Sequence, residues 1–279
     1  PLIELWVEAR DGKPAVNPVM QALLADLNAA GMATTVRVPE HELIDPRRLL
    51  RGRQADLVLL KSATTVALSL AIADEAAGVR FLNSAQATVR AHDKAATVAR
   101  LAAAGLPVPP TFLANEPVGN GLRPPGPWVV KPTRGVHGHG VTLHVDFAAA
   151  LNALGAHERV HHYVVDDGTR LVQRQIGTDQ QPDIKVYVAG EMIFAGAKRF
   201  SAKSYTEDRI VEEVLDDHTT AIVHAVGAAL ELRCFGVDLR FEDGEPYIID
   251  ANPFPGYRGF PRAVRALRSE LERCLEARR

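Results

Sequence analysis

Cysteine is nearly missing from this sequence. Cys234 and Cys274 are the only two in 279 residues, far apart and outside any CxxC or Cys/His cluster. That excludes a cysteine-built zinc site and a disulfide framework, and makes a reducing cytoplasm the expected compartment. Charge of one sign is missing as well: 32 Lys and Arg face 34 Asp and Glu, a formal net charge of -2. Without a basic field, nucleic acid is not expected as a partner. Long hydrophobic runs are absent too. The first, Leu2 to Val7, is broken by Glu4 and followed by Glu8, Arg10 and Asp11, which matches neither a signal peptide nor a membrane span. No internal repeat or low-complexity segment occurs.

Apolar residues make up 47% of the chain, enough for a large core in one large domain or two to three small ones. Short apolar runs alternate with helical patterns at the start: Leu2 to Val7, Val19 to Ala30, Thr34 to Val38, Asp56 to Leu60 and Ala67 to Ala77. Strands spaced by helices predict right-handed βαβ units and a small parallel sheet, an α/β lobe over residues 1–86. Pro107 to Pro110 and Gly119 to Pro127 then break the chain.

Beyond Pro127 the runs read as strands: Trp128 to Val130, Val141 to His144, Leu171 to Ile176, Ile184 to Val188, Met192 to Ala197, Phe235 to Phe241 and Tyr247 to Ile249. Gly190-Glu191 and Glu242-Asp-Gly-Glu245 are hairpin signals, so this part is expected to be antiparallel and α+β. Asp250 is expected to end the last strand, before a turn of Pro253, Pro255 and Gly256 that sends Tyr257 and Arg258 along a substrate side. Arg262 to Arg279 places Val264, Leu267, Leu271 and Leu275 on one face of an amphipathic closing helix.

Three stretches carry chemistry. In Lys131-Pro-Thr-Arg-Gly-Val-His-Gly-His-Gly140, glycines 135, 138 and 140 allow a tight turn whose amides can cradle an anion, with Lys131 as the point charge. The lysine precedes the glycines, so this is not the GxxxxGK[ST] loop, and a glycine-rich hairpin without a ligand fits the same residues. In Gly236-Val-Asp238 and Asp250-Ala-Asn252, residues 250 and 252 share a strand face, and a paired strand brings Asp238 beside them. Two carboxylates and an amide oxygen, with positions left for water and phosphate, suit magnesium; strand-end residues facing water are the alternative. In Leu171 to Gly177, Gln173 and the backbone at Gln175 and Ile176 can read an adenine edge, while an acid past the glycine, Asp179 or Asp183, can hold a ribose.

Taken in this order, the stretches resemble an ATP-grasp enzyme over essentially the whole chain. The resemblance implies a parallel α/β lobe followed by an ATP-grasp domain over 87–279, whose two α+β subdomains, about 91–172 and 173–279, sandwich ATP. It implies that Lys94 and Lys131 contact the nucleotide phosphates, together with a flexible glycine loop of Gly135, Gly138, His139 and Gly140. Gln173, Arg174, Gln175 and Ile176 would line the adenine pocket and Asp183 the ribose. Asp238, Asp250 and Asn252 would carry magnesium, two ions, with manganese able to substitute.

Within that superfamily the chain is similar to RimK-type carboxylate-amine ligases in Leu82 to Lys94, in the KPxxGxxGxGV pattern of Lys131 to Val141, and in Asp183-Ile-Lys185 with Arg199 later. Lys185 stands where those ligases usually have arginine, and Phe200 to Thr206 replaces their arginine-glycine segment, so the acceptor stays unspecified. Inositol polyphosphate kinases of the same superfamily are similar in Lys185 to Val188, Lys198-Arg199, the lysine at Lys61 and the ending Ile249 to Tyr257. The ligase is the first reading, with Lys185 and Arg199 as catalytic cations and small-molecule or peptide acids and amines as substrates. The kinase is the second, and a non-catalytic nucleotide binder the third. No membrane partner is expected, and a homo-oligomer stays open.

Side features are weaker. Arg258 and Arg262 can face the site, whereas Arg265 and Arg268 belong to the solvated side of the last helix. His161-His162 point to opposite strand faces. Lys203-Ser-Tyr205 is either a substrate loop or a plain connection.

Overall fold

The computed structural model describes residues 1–45, 55–117, 121–122, 124–135, 140–154, 168–178, 180–198 and 210–277. It opens with a parallel sheet. β1 (Leu2–Trp6) runs beside β4 (Ala33–Arg37) and β5 (Leu57–Leu60), in the order β4-β1-β5. Every residue of β5, the apolar run LVLL, is buried, as expected of a parallel strand covered on both faces. A small hairpin of β2 (Ala9–Arg10) and β3 (Lys13–Pro14) follows β1. α1 (Pro18–Ala29) leads into β4, and α2 (Thr65–Ala76) follows β5.

Helix starts follow side-chain chemistry. Asn17 caps α1 and Thr64 caps α2; Ser84 caps α3 (Ala85–Ala91) and Asp93 caps α4 (Lys94–Ala103), each side chain accepting from a first-turn amide. These caps fix where Lys94 begins its helix.

Two antiparallel sheets form the remainder. The first has the order β6-β9-β7-β8, from β6 (Thr111–Ala114), β7 (Trp128–Pro132), β8 (Thr142–His144) and β9 (Arg170–Arg174), with α5 (Phe147–Asn152) packed on it. The second has the order β12-β11-β10-β13-β14: β10 (Asp183–Ala189), β11 (Met192–Lys198), β12 (Val211–Glu213), β13 (Cys234–Glu242) and β14 (Glu245–Pro253). α6 (Asp217–Leu230) covers it, and α7 (Ala263–Glu276) closes the described chain.

The two hairpins expected at Gly190-Glu191 and at 242–245 are both present. One expectation fails. β14 does not stop at Ile249 but runs to Pro253, so Asp250 and Asn252 sit inside a paired strand. Their polarity is tolerated there because both face the cleft described below.

One apolar cluster joins the start and the end of the chain. Leu5, Met20, Leu23 and Leu27 pack in it with Phe260, Leu267 and Leu271, and α7 lies on α1. Tyr257 belongs to it too. Expected on the substrate side, it is fully buried, and its hydroxyl donates to the Val188 carbonyl at 2.6 Å. Left-handed backbone at Phe254 (φ 41°) and Tyr257 (φ 50°) turns the ring inward. Among the described residues, no helix is long and apolar enough to cross a membrane.

Candidate active site

A cleft of about 610 Å³ is lined by both antiparallel sheets and by the loops after β1 and β5. Its floor is the β13–β14 hairpin. The register sets Asp238 opposite Asp250 and Gly236 opposite Asn252, while β10 brings Lys185 opposite Asp238. Two carboxylates therefore meet directly across the strands, which costs energy unless cations intervene.

Cations do intervene. Lys94 Nζ donates to Asp250 Oδ1 at 2.6 Å, and Asn252 Nδ2 to Asp250 Oδ2 at 3.3 Å. Lys185 Nζ donates to Asp238 Oδ2 and lies 3.8 Å from Asp183. Burial raises the Asp250 carboxyl, but Lys94 and Lys131 outweigh it and hold the group below its usual range. Burial, with Asp250 as a like charge opposite, raises Asp238 despite Lys185. Burial also works against the Lys185 ammonium, yet Asp238 and Asp183 hold it above the usual lysine range.

Lys131, on β7, reaches across to the other sheet. Its ammonium donates to Gln173 Oε1 at 2.7 Å and to the Ile249 carbonyl at 3.1 Å, and burial lowers its pKa to about 8. Gln173 Nε2 donates to Thr111 Oγ1 at 3.0 Å, so both ends of this amide are engaged within the protein. Gln173 thus orients Lys131 while it also lines the cleft. Arg174 makes a two-pronged pair with Glu242 at 2.9 and 2.6 Å, and Gln175 and Ile176 line the cleft beside it. Asp183 accepts from Arg240 Nε at 2.6 Å.

Of the glycine-loop residues, Gly135 lines the cleft and Gly140 has φ +72°, a conformation that requires glycine or a rare substitute. Gly138, His139 and Arg199 lie outside the described residues, as do Asp179, His161, His162 and 203–205. Arg258 lines the cleft; Arg262 does not, and pairs with Glu212 at 2.6 Å. Arg268, expected on a solvated face, bridges Asp26 and Glu272.

Several cleft residues escaped sequence reasoning. Glu8 and Arg10 follow β1, His92 ends α3, and Arg240 neutralises Asp183. Burial, then Lys94 and Lys61, lowers His92 to about 4, so it is neutral at pH 7. The available signal was positional: polar residues just past the carboxyl ends of parallel strands are where open α/β sheets bind ligands.

No group of three or more His, Cys, Asp or Glu side chains able to hold a metal occurs among the described residues. The oxygen set of Asp238, Asp250 and Asn252 fits a hard cation only when other oxygens complete its shell. Magnesium bound together with nucleotide phosphates is that case.

A family model described as an ATP-grasp domain matches residues 91–256, more than half of the chain. The chain belongs to the ATP-grasp family. It is 29% identical over 205 residues to a probable alpha-L-glutamate ligase of Legionella pneumophila (strain Corby), covering 68% of this chain and 64% of that protein. The match thus spans slightly less than two thirds of the relative. Among solved structures, a RimK domain ATP-grasp protein from Sphaerobacter thermophilus DSM 20745 superposes with a TM-score of 0.68 at 20% identity, covering 95% and 96% of the two chains. A D-alanine--D-alanine ligase from Bacillus anthracis, complexed with ATP, superposes at 0.70 and 16% identity, covering 100% and 99%. At these identities the superpositions establish the ATP-grasp fold, with its parallel sheet and two antiparallel sheets.

Proposed function

We propose that this ATP-grasp chain is an ATP- and magnesium-dependent carboxylate-amine ligase. The observation that carries the reading is the facing pair Asp238 and Asp250, ringed by Lys94, Lys131 and Lys185 in one cleft. Such a set neutralises a polyphosphate and leaves metal positions for phosphate oxygens. The similarity to a probable alpha-L-glutamate ligase favours an amide-forming reaction over other phosphoryl transfers.

In this reading Lys94 and Lys131 hold the phosphates, and Gln173 keeps the Lys131 ammonium aimed at them. Arg174, Gln175 and Ile176 face the base, and Asp183, held by Arg240, faces the ribose. Asp238, Asp250 and Asn252 hold magnesium, which when bound would spread the charge developing on the transferred phosphoryl group.

A substrate carboxylate oxygen attacks the γ-phosphorus, the bond to ADP breaks, and an acyl phosphate forms. An amine then attacks the acyl carbon, inorganic phosphate leaves, and the amine gives up a proton. In this reading Lys185 stabilises the acyl oxygen, and Arg199, which lies outside the described residues, is assigned the same task by the family resemblance alone.

Hydroxylamine trapping tests this. With magnesium, ATP and a panel of acids, ADP release accompanied by a hydroxamate is expected. ADP accompanied by a phosphorylated polyol would make the chain a kinase instead, and ATP binding without ADP release under any acceptor would make it a nucleotide binder.

A further inference from the structure

The end of the cleft beyond His92 differs from the nucleotide end. At the nucleotide end each cation named above has a near partner: Lys94 has Asp250, Lys185 has Asp238, Arg174 has Glu242, Arg240 has Asp183, and Lys131 has two oxygens. At the other end the cleft is lined by Lys61, Arg10, Arg258 and Glu8, and Lys61 is the cation whose surroundings differ. Glu8 is engaged by Arg10 at 2.5 Å. Lys61 Nζ has one acceptor among the described residues, the Phe254 carbonyl at 3.4 Å, although an ammonium carries three donors. Burial, with Arg10 and Arg258 adding to it, lowers its pKa to about 8 although the Glu8 carboxylate works the other way.

Topology puts this cation at a ligand-binding position by a separate argument. The parallel sheet has the order second, first, third (β4-β1-β5), so the strand order reverses beside β1. Open α/β sheets bind ligands at the carboxyl ends of the strands flanking such a reversal. Glu8 and Arg10 follow the carboxyl end of β1, and Lys61 follows that of β5 immediately.

We infer that this end of the cleft is an anion subsite, centred on Lys61, that receives a non-reacting carboxylate or phosphate of a small substrate. The substrate then carries two anionic functions: one reacts over the Asp238–Asp250 pair while the other is held by Lys61, with Arg258 beside it. This deepens the ligase reading and rests on it only in placing the nucleotide at the opposite end.

Calorimetry on the full chain, with magnesium and a non-hydrolysable ATP analogue, tests the subsite using glutarate, 4-phosphonobutyrate and pentanoate. At least one dianion is expected to bind about tenfold more tightly than pentanoate, the size of one charge-assisted contact. That advantage should shrink to about twofold or less in Lys61→Met and return in Lys61→Arg, with analogue affinity unchanged. Which dianion wins distinguishes carboxylate from phosphate. Equal binding of all three, no measurable binding of either dianion, or an advantage that survives Lys61→Met overturns the subsite. Failure of the analogue to bind would instead count against the nucleotide reading, and the same ranking repeated without analogue still decides on Lys61.

Discussion

Asp250 answers to several neighbours at once. It accepts from Lys94 and Asn252, faces Asp238 across the hairpin, and is held ionised by two lysines although burial opposes it. An ionised carboxylate maintained there at a cost is expected where a cation must bind. In Asp250→Asn the amide oxygen still accepts from Lys94, so the loss of stability should be about 1 kcal/mol, that of one exchanged hydrogen bond. The metal-dependent part of ATP-analogue binding should disappear, and ADP release should fall about a hundredfold or more. Melting curves and a magnesium titration check both, and wild-type metal dependence would refute the assignment. Residues of this kind were legible in the sequence because a strand period of two and a hairpin turn place them by local rules. Lys61, Glu8 and His92 were not legible as a set: their meeting depends on which strand ends lie side by side, and sheet order has no local signature.

Elements show the same division. Helix starts at Asn17, Thr64 and Asp93 follow capping chemistry, and the hairpin turns follow their glycines. β14 outran its expected end because its last residues face a cleft, where polarity does not terminate pairing. Sequence reasoning did not mark α6, whose Thr, Ile and Val residues blur a helical period that its buried Ile222, Val223, Val226 and Leu230 do keep. Within it Gly227 has a packing reason. A Cβ there would lie 2.6 Å from Phe235 Cε1 and 3.1 Å from the Leu232 carbonyl, with Phe235 itself buried in the core of the second sheet. Alanine would gain about 1 kcal/mol in helix propensity, but overpacking of this severity costs about 1–3 kcal/mol. Gly227→Ala is therefore expected to lose stability, by up to about 2 kcal/mol, in denaturant titration. A more stable variant would mean that α6 can lift off β13 at little cost.

At the scale of the whole molecule, the last helix completes the core of the parallel sheet. Leu267 and Leu271 are fully buried among Leu5, Met20, Leu23 and Leu27, and Arg268 bridges to Asp26 on α1. The Lys61 end of the cleft is built on that parallel sheet and the Asp238–Asp250 pair on the sheet that ends in β13 and β14, so this shared core is what keeps the two ends in register. Truncating Leu271 should thus unfold residues far from it in sequence. The chain has two tryptophans, Trp6 on β1 and Trp128 on β7, so a Trp128→Phe background leaves β1 as the reporter. In that background Leu271→Ala is expected to lower the stability reported by Trp6 by about 2–5 kcal/mol, the usual cost of a leucine-sized cavity. The Trp6 transition should coincide with that seen by far-ultraviolet circular dichroism. A Trp6 midpoint unmoved by the substitution would mean that the parallel sheet folds without the last helix, and the two ends of the cleft would then be free to shift relative to each other.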